Sequence, residues 1–329
     1  MSRKFTFVEV CLQVLAAFHL AFLQNLYVEM IFLILYIVLF TTYWPIIVLS
    51  IFWTWYDRET PYEGGRRLRL LTDMPYLKYL PDYFPMRLIK TADLDSNRNY
   101  LFCSHPHGLL AFSQFINFAL ELTPIKAFFP GFRTNLAAID LNMKYPLLRD
   151  IAMGCGLVSA SKKSLTYLLN DSRKGNIVSL VIGGAEEVIY SVPGQYRIIL
   201  NKRKGFVKIA LTLGCCLVPV FNFGENDIYE LLIPTPGTFL YRFQMWLKSR
   251  TGFLLVIPKG RLGLPFLPKR KPITTVVGRP IEIPKIAEPT QEQIDQYHKL
   301  YTEELLRLFN EHKHKYVDDY ENTHLEIVG

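Results

Sequence analysis

The stretch Tyr100-Leu101-Phe102-Cys103-Ser104-His105-Pro106-His107-Gly108 decides how this chain is read. Its aromatic and apolar residues suit a buried strand, Pro106 cannot donate to a ladder, and Gly108 tolerates backbone angles closed to other residues. The run therefore predicts a core strand ending in a turn that carries two imidazoles. Strand ends are where α/β folds commonly place their chemistry. If extended backbone continued through residue 107, His105 and His107 would share one face, because strand side chains alternate with period two. On this local geometry a proton-transfer pair and a two-histidine metal site are both open. So is the plainer reading of two satisfied polar side chains at a strand end.

Downstream, strand-like runs recur at 176–182, 217–223, 253–257 and 273–277, joining the one at 99–104. Helix-length stretches at 108–122, 162–169 and 206–213 separate them. That rhythm predicts an α/β domain with a mostly parallel central sheet. A final helix is marked by a capping box of Thr290 and Gln293, by Ile294, Tyr297, Tyr301, Leu305 and Leu308 at helical spacing, and by His312-Lys313-His314-Lys315 at the negative end. Residues after Val317 read as a polar tail.

Upstream, the pattern is different. A run without formal charge lies between Glu9 and Glu29, and a longer one covers 30–56. Each approaches the roughly 20 residues that cross hydrocarbon, so together they predict a membrane hairpin with its connection near Glu29 and a kink at Pro45. Arg3 and Lys4 precede it and Arg66, Arg67 and Arg69 follow it, which places both flanks in the cytosol. Gln13, His19, Gln24 and Asn25 interrupt the first run, and for it a dip into one leaflet is the alternative to a full span. The chain thus divides into a hairpin at 1–58, a basic linker and entry segment at 59–98, the α/β domain at 99–316 and the tail at 317–329.

Composition agrees with a membrane setting. Half of the 329 residues are apolar and the formal charge is +8. A lipid face or a polyphosphate ligand fits that balance better than nucleic acid, for which no binding signature is present. Cys11, Cys103, Cys155, Cys215 and Cys216 form no spaced framework, which indicates reduced thiols facing the cytosol.

Three clusters carry the chemistry. A metal site at His105 and His107 would need three or four ligands, and no carboxylate lies beside the pair, which leaves general-base work for an imidazole titrating near 6.5. The second cluster is a strand followed by Gly183-Gly184-Ala185-Glu186-Glu187, whose end would lie on the same sheet edge as His107. A carboxylate there suits the support of a protonated imidazole, or simply opens a solvated helix. The third, Lys202-Arg203-Lys204-Gly205-Phe206-Val207-Lys208, places cations and a glycine at a helix start, a cradle for phosphate or an ordinary charged face.

Taken together, Tyr83-Phe84-Pro85, His105-Pro106-His107-Gly108, Gly183-Gly184-Ala185 with Glu187, Arg203-Lys204-Gly205-Phe206-Val207-Lys208-Ile209-Ala210, Val218-Pro219, Phe223-Gly224-Glu225 and Val276-Val277-Gly278 with Pro280 resemble the type 2 diacylglycerol acyltransferase family. That family includes monoacylglycerol and wax-alcohol acyltransferases. Phe32-Leu33-Ile34-Leu35 is similar to the family's neutral-lipid-binding motif, and Arg149-Asp150 with Val158-Ser159 matches another stretch.

The resemblance implies a membrane hairpin followed by a glycerolipid-acyltransferase-like domain, in the endoplasmic reticulum membrane and at lipid droplets. It implies catalysis with long-chain acyl-CoA as co-substrate, no cofactor and no metal. His107 would be the base, His105 its neighbour, and Glu187 the family's glutamate, with Pro106, Gly108, Gly183 and Gly184 shaping the site. Glycerolipid acyltransferases carry an aspartate five positions after the histidine, whereas Phe112 stands there in this chain. Arg203, Lys204, Gly205 and Lys208, with Arg149 as an alternative, are the candidates for the coenzyme A phosphates, and Phe32, Leu33 and Leu35 for lipid. The expected reaction esterifies diacylglycerol to triacylglycerol, with monoacylglycerol and fatty alcohol as alternative acceptors. An inactive lipid-binding membrane protein and a metal-dependent lipid hydrolase are the readings from other classes. Oligomeric state is open, a homo-oligomer included.

Overall fold

The computed structural model describes residues 5–232, 234, 235, 237–251 and 256–329, apart from the side chains of 24–29, 247–249 and 251. The helix α1 (Phe7–Phe40) begins in a capping box between Thr6 and Glu9 and runs unbroken past Glu29. The chain turns only at Thr41, after which α2 (Trp44–Tyr56) starts with Pro45 in its first turn, a position that needs no N–H donor. The expected connection near Glu29 is therefore replaced by continuous helix. Charge at Glu29 does not break a helix, since glutamate is a good helix former. Among the described residues no helix is long and apolar enough to cross a membrane.

The two halves of α1 have different surroundings. Gln13, Ala16, Ala17, Leu20 and Ala21 are buried against Leu80, Tyr83, Phe84, Phe112 and Ile116 of the domain. Gln13 Oε1 accepts from Arg270 at 2.7 Å, and His19 hydrogen-bonds to Tyr76. Gln13 and His19, two of the polar residues that interrupt the first apolar run, thus mark a helix docked on protein; the side chains of Gln24 and Asn25 lie outside the described ones. From Ile31 onward, by contrast, Phe32, Leu33, Leu35, Leu39 and Phe40 are exposed, as are Trp44, Leu49, Phe52, Trp55 and Tyr56 of α2.

The basic segment after α2 is pinned rather than loose. Arg66 bridges Asp57 and Asp150, each at 3.0 Å. Arg67 pairs with Glu121 and donates to the carbonyls of Phe118 and Thr134 at 3.1 and 2.7 Å.

Seven strands form the central sheet: β1 (Arg87–Lys90), β2 (Tyr100–His105), β3 (Arg133–Ala138), β4 (Leu157–Ser159), β5 (Asn176–Val181), β7 (Cys216–Phe223) and β10 (Thr274–Val277), with β6 (Arg197–Ile199), β8 (Glu230–Leu232), β9 (Ile257–Lys259) and β11 (Glu326–Val328) outside it. Their order is β1-β10-β7-β2-β5-β3-β4, and only the β10–β7 pairing is antiparallel. The mostly parallel α/β sheet expected from the strand rhythm is present. β2 lies at its centre, between β5 and β7, with Ser104 opposite Val181 and His105 opposite Phe221. Its alternation sends Leu101 and Cys103 into one core, with Phe206, Tyr301 and Leu305, and Tyr100 and Phe102 into another, with Phe118, Val218 and Val220.

Differences from the sequence reading have physical causes. The 108–122 stretch is only briefly helical, as a turn at Phe112–Gln114 followed by a π-turn at Phe115–Ala119. β1, β4 and β6 are only three or four residues long, and β3, Arg133-Thr134-Asn135-Leu136-Ala137-Ala138, has a single large apolar residue, so none of them registers as a strand. The run at 253–257 lies largely outside the described residues, and Ile257 begins β9, which pairs with β8 away from the sheet. The tail ends in β11, which pairs with β6, so the last residues close an edge instead of trailing free. The helices Lys162–Leu169, Gly205–Leu213 and Gln291–Tyr316 form as expected, the last with its Thr290–Gln293 capping box.

Candidate active site

Parallel strands deliver their C-terminal ends to one edge, and this edge collects the conspicuous polar groups. β2 brings His105-Pro106-His107-Gly108, β5 brings Gly183 to Glu187, and β7 brings Gly224 and Glu225. β2 ends at His105, so the period-two alternation stops there and the two imidazoles part. His105 is fully buried in the sheet. Its Nε2 meets the Tyr301 hydroxyl at 2.9 Å, its Nδ1 has no partner, and burial pushes it down to about 3. It is a neutral, buried imidazole facing the C-terminal helix.

His107 instead lines a cavity of about 600 Å³. The walls are mainly apolar, including Leu109, Leu110, Phe115, Leu136, Ile139, Ile151, Leu157 and Ile182, with Leu23 contributed by α1. Gly184, Ala185, Glu186 and Arg203 supply a polar region. His107 Nδ1 lies 3.1 Å from the carbonyl of Gly108. A carbonyl only accepts, so Nδ1 carries the proton and Nε2 the lone pair in the neutral ring. Burial holds His107 below its usual range, with the Gly108 carbonyl opposing that shift. The ring is accordingly neutral at physiological pH.

Glu187 does not reach the imidazole. One carboxylate oxygen accepts the backbone N–H of His107 at 2.6 Å and the other that of Ile199 at 2.8 Å. Burial raises it to about 7 against the pull of these two N–H groups. Gly183 makes room for it, since a Cβ there would lie 1.9 Å from Glu187 Oε2. The carboxylate therefore fixes the loop's backbone rather than the ring.

The proposed anion ligands separate in space. Arg203 lies at the cavity, donating to the carbonyl of Gly183 at 3.1 Å and to Glu186 at 2.9 Å, while its buried Nε has no partner. Lys204 pairs with Asp295 at 2.7 Å, Lys208 is exposed, and Gly205 opens their helix. Arg149 is elsewhere. It is fully buried, donating to the carbonyls of Thr54 and Asp57 and to the Asp57 carboxylate. Cys103 is buried and burial pushes its thiol well up, which disfavours the thiolate there. A second cavity of about 670 Å³ opens at the opposite edge, where Arg67, Arg133, Arg173 and Lys174 line it without a histidine.

Sequence reading missed the supports beneath the loop. Gln114 accepts from Ser104 and Ser179, both at 2.7 Å, and donates to Asn222 at 2.8 Å. Asn222 donates to the carbonyl of His105 at 2.9 Å and accepts from Thr275 at 2.8 Å. A buried network satisfied to this degree rigidifies what it touches. The signal for it was present as polar residues inside apolar strands, Ser104, Ser179 and Asn222. Glu225 was likewise visible as a carboxylate just past a strand and a glycine, the same pattern that drew attention to Glu187.

A family model described as diacylglycerol acyltransferase matches residues 36–328. The chain is 44% identical over 282 residues to diacylglycerol O-acyltransferase 2 of Danio rerio, covering 84% of this chain and 78% of that protein. It is 42% identical over 290 residues to 2-acylglycerol O-acyltransferase 1 of Bos taurus, covering 87% and 85%. It is 41% identical over 287 residues to acyl-CoA wax alcohol acyltransferase 2 of Mus musculus, covering 86% of each.

Proposed function

The chain belongs to the diacylglycerol acyltransferase family, and from that premise we propose that it uses long-chain acyl-CoA to esterify diacylglycerol, with His107 as general base. The observation that carries this reading is a neutral imidazole, its Nδ1 committed to a carbonyl, on the wall of a mainly apolar cavity that also holds Arg203.

His107 Nε2 takes the proton of the acceptor hydroxyl as that oxygen attacks the thioester carbonyl carbon. The tetrahedral intermediate then collapses, the C–S bond breaks, and the imidazolium returns its proton to the departing thiolate. Coenzyme A leaves as the thiol and the base is regenerated. Backbone N–H groups at Gly108 or at Gly183 and Gly184 are the candidates for holding the oxyanion. Glu187, by binding the N–H of His107, fixes where the base stands. Arg203 receives the coenzyme A phosphates, with Lys204 and Lys208 adding positive charge along the same helix start.

The apolar surface has a role in this scheme. Each buried CH₂ is worth roughly 0.8 kcal/mol, so a chain of about sixteen carbons costs on the order of 12 kcal/mol to hold in water. Such an acceptor reaches the site through lipid. The exposed apolar faces of α1 beyond residue 30 and of α2 sit in the cytosolic leaflet of the endoplasmic reticulum or on a lipid droplet, with Phe32, Leu33 and Leu35 in contact with lipid. Leu23, on the docked part of α1, carries that helix to the cavity wall and so links the lipid side to the base.

Microsomes containing the protein, given labelled oleoyl-CoA and a mixture of monoacylglycerol, diacylglycerol and fatty alcohol, test the proposal. Label should enter triacylglycerol above a His107→Ala control. Label appearing only in diacylglycerol or wax ester would overturn the choice of acceptor, and no ester above the control would overturn the enzyme itself.

A further inference from the structure

Glu225 has no role in the scheme above, yet it is built into the same loop. Its carboxyl is buried, burial raises it to about 7, and among the described residues no cation pairs with it. Both oxygens are instead occupied by backbone donors, Oε1 by the N–H of Phe112 at 2.8 Å and Oε2 by that of Ser113 at 3.0 Å. Its side chain lies beside Gly108, whose φ is +62° and where a Cβ would come within 2.6 Å of Glu225 Cγ. The loop that carries the base is therefore held at both ends by carboxylates, Glu187 at His107 and Glu225 at residues 112 and 113. Between those anchors lies the Gly108 carbonyl, which accepts from His107 Nδ1.

We propose that Glu225 is a positioning residue for the base. By gripping Phe112 and Ser113 and lying beside Gly108, it fixes the Gly108 carbonyl against His107 Nδ1, and that carbonyl holds the ring in the tautomer whose Nε2 takes the acceptor proton. This rests on the reading of His107 as the base. In a nucleophile–histidine–carboxylate triad, the carboxylate touches the ring and sets its tautomer directly. Here Phe112 occupies the position five residues after His107, and the carboxylate acts one step removed, through the backbone. Two carboxylate oxygens facing two N–H groups make a matched set. A glutamine would turn one acceptor into an NH₂ aimed at an N–H, leaving a buried donor unsatisfied.

The test uses the full chain in lipid nanodiscs with [¹⁵N]histidine, at about pH 8, where His107 is neutral. Subtracting the spectrum of His107→Ala isolates the signals of His107. Wild type should show a protonated Nδ1 and a bare Nε2. Glu225→Gln should show a mixture of tautomers together with a kcat lowered about 10–100-fold and an unchanged KM for acyl-CoA. Glu225→Asp, which keeps the charge with a shorter reach, should fall between, and it carries the test alone if Glu225→Gln does not fold. A His107 tautomer unaltered by these substitutions would overturn the proposal, whether or not kcat falls. Full activity in His107→Ala would instead overturn the base itself.

Discussion

Replacing Arg149 by methionine separates two roles for this residue, phosphate ligand and structural clamp. Its guanidinium donates to the Thr54 carbonyl at 3.1 Å and to the Asp57 carbonyl at 2.7 Å, and meets the Asp57 carboxylate at 3.2 Å, all with the side chain fully buried. Methionine fills the volume and removes every donor. Asp57 still keeps Arg66 and the Thr60 hydroxyl, so it is not stranded. The Asp57 carbonyl likewise keeps the Thr60 N–H at 3.2 Å, so the Thr54 carbonyl is the one left without its donor, at about 1–3 kcal/mol. The lost charge-assisted bonds to Asp57 add about as much, and release of the partnerless Arg149 Nε offsets a part of that. The net loss is about 3 kcal/mol, within the range for breaking a buried ion pair. For 329 residues that corresponds to a fall in Tm of about 4 °C. Far-UV circular dichroism melts of the purified variant read the first effect, and acyl-CoA titrations at a permissive temperature read the second. The structure predicts a lower Tm with KM unchanged. A raised KM with wild-type Tm would refute the clamp and make Arg149 a ligand of the coenzyme.

Three further outcomes follow from the site and the membrane face. Because burial raises Glu187 from 4.5 to about 7, its contribution to stability is present at low pH and lost as pH rises through 7, by about 3 kcal/mol in all; Glu187→Gln should therefore lose less stability than wild type between about pH 5 and 8, and equal pH slopes in thermal melts would contradict the assignment. Arg203→Ala should raise KM for acyl-CoA about tenfold and leave KM for the acceptor unchanged, since a charge-assisted contact is worth about 1.5–3 kcal/mol and Arg203 is already shared with Glu186; steady-state kinetics with each substrate varied decide this. Changing Phe32, Leu33 and Leu35 together to serine should weaken vesicle partitioning about 100-fold, given half to two-thirds exposure and about 1.5–3 kcal/mol for each fully buried side chain; sedimentation with vesicles that shows no change would place these residues away from lipid.

Much of the fold is legible wherever a segment's own pattern and its surroundings agree. β2, β5 and β7 lie at the sheet centre, covered on both faces, so they read as continuous apolar runs, and Gln291–Tyr316 announces itself by its cap and its stripe. In the N-terminal region the place of the turn, at Thr41 and not near Glu29, is hidden for the opposite reason. An apolar helix docked on protein and an apolar helix in lipid have nearly the same composition, and among the described side chains of that run Gln13, bonded to Arg270, and His19, bonded to Tyr76, distinguish them. At the site, residue types were readable but contacts were not. Glu187 was found by its place after a strand and a glycine, yet the choice between ring and backbone depends on ångströms that spacing does not encode. Arg149 shows the same limit, because a buried arginine holding a loop and an exposed one awaiting phosphate are the same letter.

The central claim is that His107, and not His105, moves the proton. Transfer of labelled acyl groups by His107→Ala and His105→Ala, at equal amounts of folded protein and saturating acyl-CoA, tests it most directly. The account predicts that His107→Ala loses about 10²–10⁴-fold in kcat, while His105→Ala, which empties a core position beside Tyr301, is lowered chiefly in thermal stability. Wild-type kcat in His107→Ala would contradict it.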